Sequence, residues 1–454
     1  MNNSLEVIAE VIGAEMPSEY AGIRVNAVVT DSRKVTPGAL FFALSGEKFD
    51  GHDFVEQSIS LGAAGAVISR PREEGPYLLV EDTEAALQKL AAYHRSQFNI
   101  PVIAVTGSVG KTTTKDILAH LLQGEFDTLK TEKNYNNQIG LPLTLFNLNN
   151  AHQACVVEMA MRAPGEISLL SQIARPNGCI IVNVAPVHME TMGTIENIVR
   201  AKLEVLDYTS DFAVLNRDDK ELRHFARDFS GAIYWFGYEA DCDWRIIDAR
   251  SRAAQTVVEM DIKGQYLQVL LPFPAVHLAE NVVAAVGTAI LLGVSPESIK
   301  DRISGFQISA GRLTILNGIN GCTIIDDTYN ANPRSMKAAL QVLTDLADGR
   351  YKIAVLGDMF ELGEYETEGH YEVGQRAASL GIESLITVGR LAGNISAGAK
   401  AAGFQGEMRH FETKPEIVAF LAKKIKADDV VLIKASRGLF MEEIVQALSK
   451  GDAG

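Results

Sequence analysis

Val102-Ile103-Ala104-Val105-Thr106-Gly107-Ser108-Val109-Gly110-Lys111-Thr112-Thr113-Thr114 reads as a buried strand, a glycine loop and the start of a helix. The apolar run Val102–Val105 predicts the strand, and the periodicity beyond the loop predicts a helix over Asp116–Leu122. Gly107 and Gly110 let backbone amides approach phosphate oxygens, and the helix amino end adds positive potential there. Lys111 is suited to bridge the β- and γ-phosphates of ATP, and the Thr112 hydroxyl to hold Mg²⁺. Ser108, Val109 and Thr113 complete this shortened T-G-x-x-G-K-T loop. A chance Gly-Lys-Thr in a turn would lack the flanking strand and helix.

On either side the chain separates into three blocks. Around the loop, apolar runs at Cys155–Met159, Cys179–Val184 and Phe212–Leu215 alternate with helical patterns, which implies parallel strands joined by crossover helices. Tyr234–Leu271 reads as shorter strands and turns, followed by an apolar helix over Asn281–Leu292. The first block has short apolar runs, Ala39–Leu44 and Ala66–Ile68, and closes with a helical stretch, Glu84–Phe98. The third has strand-like runs at Thr323–Ile325, Tyr351–Leu356, Leu385–Val388 and Val430–Ile433. The expected fold is α/β in three domains. These are a smaller N-terminal α/β domain (1–98), a central P-loop ATPase-type parallel sheet (99–312) and a C-terminal Rossmann-like sheet (313–454).

The chain has 454 residues, 47% apolar and 22% charged, as in a soluble globular protein of several domains. No apolar run approaches the roughly 18–20 residues of a membrane span, and the amino-terminal residues carry no secretory pattern, so a cytoplasmic location is expected. Cys155, Cys179, Cys242 and Cys322 lie far apart, which suggests core thiols rather than disulfides or zinc ligands. A formal charge of −15 argues against nucleic acid as the main partner, although a local basic patch can still take anionic substrates.

Other polar residues stand at the ends of the central strands. Glu158 closes its apolar run where a second acidic ligand reaches Mg²⁺ beside a phosphate loop. His188 follows the next strand and its turn; read alone, it is open between a structural role and a ligand. Lys202, in Arg200-Ala201-Lys202-Leu203-Glu204, reads by itself as a surface lysine of a helix. Asn134, Asn136 and Asn137 precede a helix-breaking Gly140 and Pro142, as a turn or as a polar platform for a peptide or phosphoryl group.

Together these motifs resemble the Mur ligase family, in order and over essentially the whole chain. Thr106–Thr113 is similar to its ATP loop, Glu158-Met159-Ala160-Met161-Arg162-Ala163-Pro164-Gly165-Glu166-Ile167 to its E-M-G-M-x-x-x-G-E-I segment, and His188–Gly193 with Ala201-Lys202 to its A-H-L-E-x-x-G and A-K pair. Asp326-Asp327-Thr328-Tyr329-Asn330-Ala331-Asn332-Pro333 resembles its D-D-x-Y-N-A-N-P signature. Asp31-Ser32-Arg33 and the segment ending at Gly46 resemble segments that cradle a UDP-sugar.

The resemblance implies an ATP-dependent amide ligase adding D-Ala-D-Ala to UDP-N-acetylmuramoyl-tripeptide through an acyl phosphate, in peptidoglycan precursor synthesis. It implies Mg²⁺ held by Thr112, Glu158, His188 and a carbamylated Lys202, and catalysis by Lys111, His188 and Lys202. Asn281, Arg312, Asp327 and Asn330 would complete the nucleotide site, with Asn281 against adenine. Asn134, Asn136 and Asn137 would join the substrate site, and the enzyme would act as a monomer. Lys133, Gln138 and Ala160 depart from the family's usual residues without removing a metal or phosphate ligand. Two alternatives stand beside this reading: a sister ligase for a diamino acid or for folate, and a nucleotide-gated binding protein without turnover. The third block lacks a D-N-P-R motif, which disfavours the diamino-acid ligase.

Overall fold

A computed structural model describes residues 1–46, 49–187, 189–225, 229–252 and 255–449. Its centre is a nine-stranded sheet, in spatial order Thr128–Lys130, Ala154–Glu158, Val102–Thr106, Gly178–Ile181, Phe212–Asn216, Ala232–Gly237, Trp244–Arg252, Gln255–Ile262 and Gln265–Leu271. The pairings through Ala232–Gly237 and on to Trp244 are parallel, and the last two are antiparallel.

The four strands around the phosphate loop alternate their side chains between two cores, as period-2 geometry requires. Ile103, Val105, Val156, Ile180 and Val214 pack with residues of the helices Lys111–Leu122 and Ala279–Leu291. Val102, Ala104, Cys155, Val157, Cys179, Ile181, Ala213 and Leu215 face the opposite core. That second core also holds Leu5, Ile8, Leu40, Phe42, Leu87 and Leu90, so it ties the N-terminal residues to the central sheet.

The N-terminal part carries a four-stranded parallel sheet, Ala27–Val29, Ala39–Phe42, Gly65–Ile68 and Tyr77–Leu79, with the helix Thr83–Ser96 after it. Asp82 caps that helix by accepting from the Glu84 and Ala85 amides. The C-terminal part is a six-stranded sheet in the order Thr314–Asn317, Thr323–Asp326, Val430–Lys434, Lys352–Gly357, Ser384–Val388 and Glu407–Phe411. Only its first pairing is antiparallel. No helix among the described residues is long and apolar enough to cross a membrane.

Three local expectations are corrected. The phosphate-loop helix begins at Lys111, not Asp116, because Gly110 in a left-handed conformation ends the loop there. Gly140 and Pro142 do not break a helix: Gly140–Leu145 is one, with proline in its first turn, where its missing N–H is not needed. The region after Tyr234 holds the long strands Trp244–Arg252, Gln255–Ile262 and Gln265–Leu271, an antiparallel meander with one solvated face that breaks up the apolar runs.

In the C-terminal part the helices Glu366–Ser379 and Gly393–Ala401 cross at two glycines. A Cβ on Gly374 would fall 1.9 Å from the Ile395 carbonyl oxygen, and one on Gly398 would fall 2.0 Å from that of Tyr371. Both obstacles are backbone, so the helices themselves must move. Gly374→Ala is expected to cost about 1–3 kcal/mol, read as a lower thermal unfolding midpoint; an unchanged midpoint would refute the close crossing.

Candidate active site

Strand burial sends the polar groups to the carboxyl ends of the central strands, where they meet the C-terminal part across a cleft of about 1140 Å³. Gly107 and Gly110 both have positive φ, +148° and +86°. A Cβ on Gly110 would lie 2.2 Å from Asn281 Nδ2, so a side chain there would displace the amide that holds the loop. Lys111 Nζ donates to the carbonyls of Gly107 (2.8 Å) and Ser108 (3.3 Å), at the mouth of the loop.

Two amides fix the loop. Asn183 accepts from the Val109 N–H and donates to the Val109 carbonyl, both at 2.9 Å. Asn281 donates to the Gly110 carbonyl (3.1 Å) and to Thr114 Oγ1 (2.9 Å). Asn183 was not foreseen. Its signal is its place just beyond the strand Gly178–Ile181, where polar residues serve sites in such sheets.

Glu158 is 2% exposed. Its Oε1 accepts from Asn136 Nδ2 (2.8 Å), and its backbone N–H donates to Thr131 Oγ1 (3.0 Å). Its Oε2 is buried without a partner among the described residues, as a carboxylate kept for a cation would be. Lys202, on the helix Ile195–Leu203, is also 2% exposed and has no hydrogen bond or ion pair among the described residues. Burial, and secondarily the like charge of Lys111, drives its pKa well below the ordinary lysine value. This corrects the surface-lysine reading. His188 lies outside the described residues.

This donor set fits Mg²⁺. The described residues hold no group of three His, Cys, Asp or Glu side chains, but Mg²⁺ is commonly bound by one or two carboxylates plus substrate phosphates. The hydroxyl of Thr112 and the spare oxygen of Glu158 supply that minimum. A neutral buried Lys202 amine is also the form able to become a carbamate.

From the C-terminal side, Arg312 Nη2 donates to Thr112 Oγ1 (3.0 Å), and its guanidinium lies 4.1 Å over the Tyr329 ring. Asp327 pairs with the buried Lys434 at 2.6 Å, and Lys434 also donates to the Asn330 carbonyl at 2.8 Å. Asp326 instead accepts from the Thr328 hydroxyl (2.6 Å), and it does not line the cleft, whereas Asp327 and Asn330 do. Lys434 and Tyr329 were not foreseen; Lys434 ends a buried strand, the same signal as Asn183.

Asn134, Asn136 and Asn137 line the cleft, yet two of them are occupied: Asn136 on Glu158, and Asn137 accepting from the Gly140 N–H at 2.8 Å. Asp31, Ser32, Arg33 and Gly46 are not among the cleft-lining residues. Arg33 and Asp31 form a two-bond pair at 2.8 and 2.9 Å, and this holds the Asp31 carboxyl at a pKa of about 2. Lys34 reaches from this N-terminal segment to the Tyr135 hydroxyl (3.4 Å), beside the asparagine loop.

Comparison with known proteins bears on the same residues. Residues 24–95 match the model for the Mur ligase family catalytic domain, 105–289 that for the Mur ligase middle domain, and 311–437 that for the glutamate ligase domain of Mur ligases. The chain is 35% identical to the UDP-N-acetylmuramoyl-tripeptide–D-alanyl-D-alanine ligase of Bacillus subtilis, over 99% of this chain and 98% of that protein. A crystal structure of MurF from Acinetobacter baumannii superposes with a TM-score of 0.89 at 32% identity, covering 98% of each chain. MurF ligase from Thermotoga maritima in complex with ADP gives 0.81 at 30% identity, covering 93% of this chain and 97% of that one.

One wall of the cleft depends on a neutral histidine. Met359 N–H donates to His370 Nε2 (2.9 Å), and the other ring nitrogen donates to the Glu366 carbonyl (2.6 Å), positioning the segment that continues into Phe360 and Leu362. Burial lowers the His370 pKa below that of the unfolded chain, about 6.5. Its stabilisation is therefore whole above about pH 6.5 and fades as pH falls through that value toward the native pKa. The stability gap between parent and His370→Gln should narrow between about pH 7 and about pH 5 in thermal unfolding. A constant gap would contradict the neutral-ring role.

Proposed function

The chain belongs to the Mur ligase family, and on that premise we propose that it joins D-Ala-D-Ala to UDP-N-acetylmuramoyl-tripeptide using ATP, a step in peptidoglycan precursor synthesis. The observation that carries the reading is one cleft lined by the phosphate loop, by Glu158 with its spare carboxylate oxygen, and by Arg312, Asp327 and Asn330 of the D-D-x-Y-N-A-N-P side.

The terminal carboxylate of the tripeptide attacks the γ-phosphorus of ATP, ADP leaves, and an acyl phosphate forms. The amine of D-Ala-D-Ala then attacks the acyl carbon, and the tetrahedral adduct expels phosphate while the nitrogen sheds a proton. The loop amides from Gly107 to Thr113 bind the phosphates, and Lys111 sets its charge against the oxygens of the transferred group. Arg312 adds a second fixed cation at Thr112. Thr112, Glu158, His188 and a carbamylated Lys202 would hold Mg²⁺, which when bound neutralises phosphoryl charge. Asn281 serves the adenine side. Asp327 is the better candidate than Asp326 for the ribose, because it faces the cleft.

Asp31, Ser32, Arg33 and Gly46 belong to the UDP-sugar side in this reading, and Asn134, Asn136 and Asn137 to the acceptor side. The domains run 1–98, 99–312 and 313–454; in support, each main sheet lies within one span. The reaction is assigned to the cytoplasm, where ATP is supplied, and to a monomer.

The purified chain should release phosphate from ATP only when a UDP-muramoyl-tripeptide and D-Ala-D-Ala are both present, with tripeptides ending in lysine and in diaminopimelate as the two arms. Release that ignores D-Ala-D-Ala would favour a nucleotide-gated binding protein. Lys202→Ala should largely abolish turnover, without rescue by bicarbonate; near-parental rates would sink the carbamate assignment.

A further inference from the structure

Behind the phosphate loop lies a buried group of charges that the reaction does not use directly. Lys115 and Asp116 are 2% and 5% exposed, on the helix that opens with Lys111 and Thr112. One Asp116 oxygen takes Lys130 Nζ at 2.9 Å and Lys115 Nζ at 3.1 Å. The other accepts from the Ser309 hydroxyl at 2.5 Å. A carboxylate stabilised by two ammonium groups in a desolvated setting is a strong, fixed acceptor.

Ser309 opens the turn that carries Arg312. The Arg312 N–H donates to the Ser309 carbonyl (3.2 Å), and the Arg312 guanidinium donates to Thr112 Oγ1 (3.0 Å). The phosphate-loop helix therefore grips this turn at two side chains on one face, Thr112 and Asp116, one helical turn apart. The turn is also the connector into the C-terminal sheet, and it passes through two left-handed residues, Gly311 (φ +73°) and Leu313 (φ +56°).

We propose that Ser309, fixed by the buried Asp116 carboxylate, is a positioning residue for Arg312: it sets the distance of the guanidinium from Thr112 and so from the phosphates of ATP. The proposal rests on the reading that Arg312 serves the nucleotide. Lys115 extends the same device to the opposite wall. Its ammonium donates to the Thr131 carbonyl (2.6 Å), and Thr131 Oγ1 holds the Glu158 N–H.

The test is a double-mutant cycle on Ser309 and Arg312, read as steady-state phosphate release. Ser309→Ala removes one half-buried hydroxyl and leaves the ion group intact. It should lower kcat/KM for ATP about tenfold, the order expected for one hydrogen bond to a charged group. KM for the UDP-tripeptide should not move, and Ser309→Thr, which keeps the hydroxyl, should restore the rate. In an Arg312→Ala background the serine change should cost nothing further, because residues acting as one unit are non-additive. Parental kinetics for Ser309→Ala, or full additivity with Arg312→Ala, would overturn the proposal. Parental ATP turnover for Arg312→Ala alone would instead overturn the reading of Arg312, and the proposal with it.

Discussion

Burial of Val102–Thr106 and Ala154–Glu158 on both faces is the constraint from which the site follows. Each strand residue is buried, and alternate side chains enter two separate apolar cores. A parallel sheet covered on both sides can present polar groups to a ligand only beyond its strand ends. The carboxyl ends therefore deliver Gly107–Thr113 from one strand and Glu158 from its hydrogen-bonded neighbour, whose register pairs Val105 with Glu158. The distance between phosphate loop and carboxylate is set by strand spacing rather than by flexible loops.

The charges then arrange themselves around that fixed pair. The chain is acidic overall, yet Lys111 and Arg312 stand near Glu158 at the cleft, so the local field favours polyphosphate and carboxylate ligands. Desolvation holds the Lys111 and Lys202 ammonium groups below their ordinary pKa, and for Lys111 the Glu158 carboxylate works against that shift. The C-terminal sheet adds its own buried pair, Asp327 with Lys434, on the other wall of the cleft. Arg334 bridges to Glu280 (3.0 Å) across the same divide.

Much of this was legible in the sequence where local rules decide. The strands at 102, 155, 212 and 430 could be found because both-face burial leaves uninterrupted apolar runs. The long strands 244–271 read as short in the sequence, since their solvated face inserts polar residues such as Arg245, Asp248, Glu259 and Gln268 into the runs. Gly140 and Pro142 read as breakers because their neighbours, including the Asn137 side chain that satisfies the Gly140 N–H, act only through the folded turn. The phosphate loop and Glu158 could be read from position alone, whereas the asparagines looked like a free platform and two proved to be bound internally.

The sequence by itself determined the layered α/β plan, the phosphate loop and the likeness to a family, because strand period, glycine placement and motif order are properties of neighbours along the chain. Only the tertiary structure decided that Lys202 is buried rather than exposed, that Asn183 and Asn281 grip the loop, and that Asp327 rather than Asp326 faces the cleft. It alone brought Ser309 to Asp116, residues far apart in the chain. Those facts depend on desolvation and on contacts between residues far apart in the chain, and neither quantity is written in the order of residues.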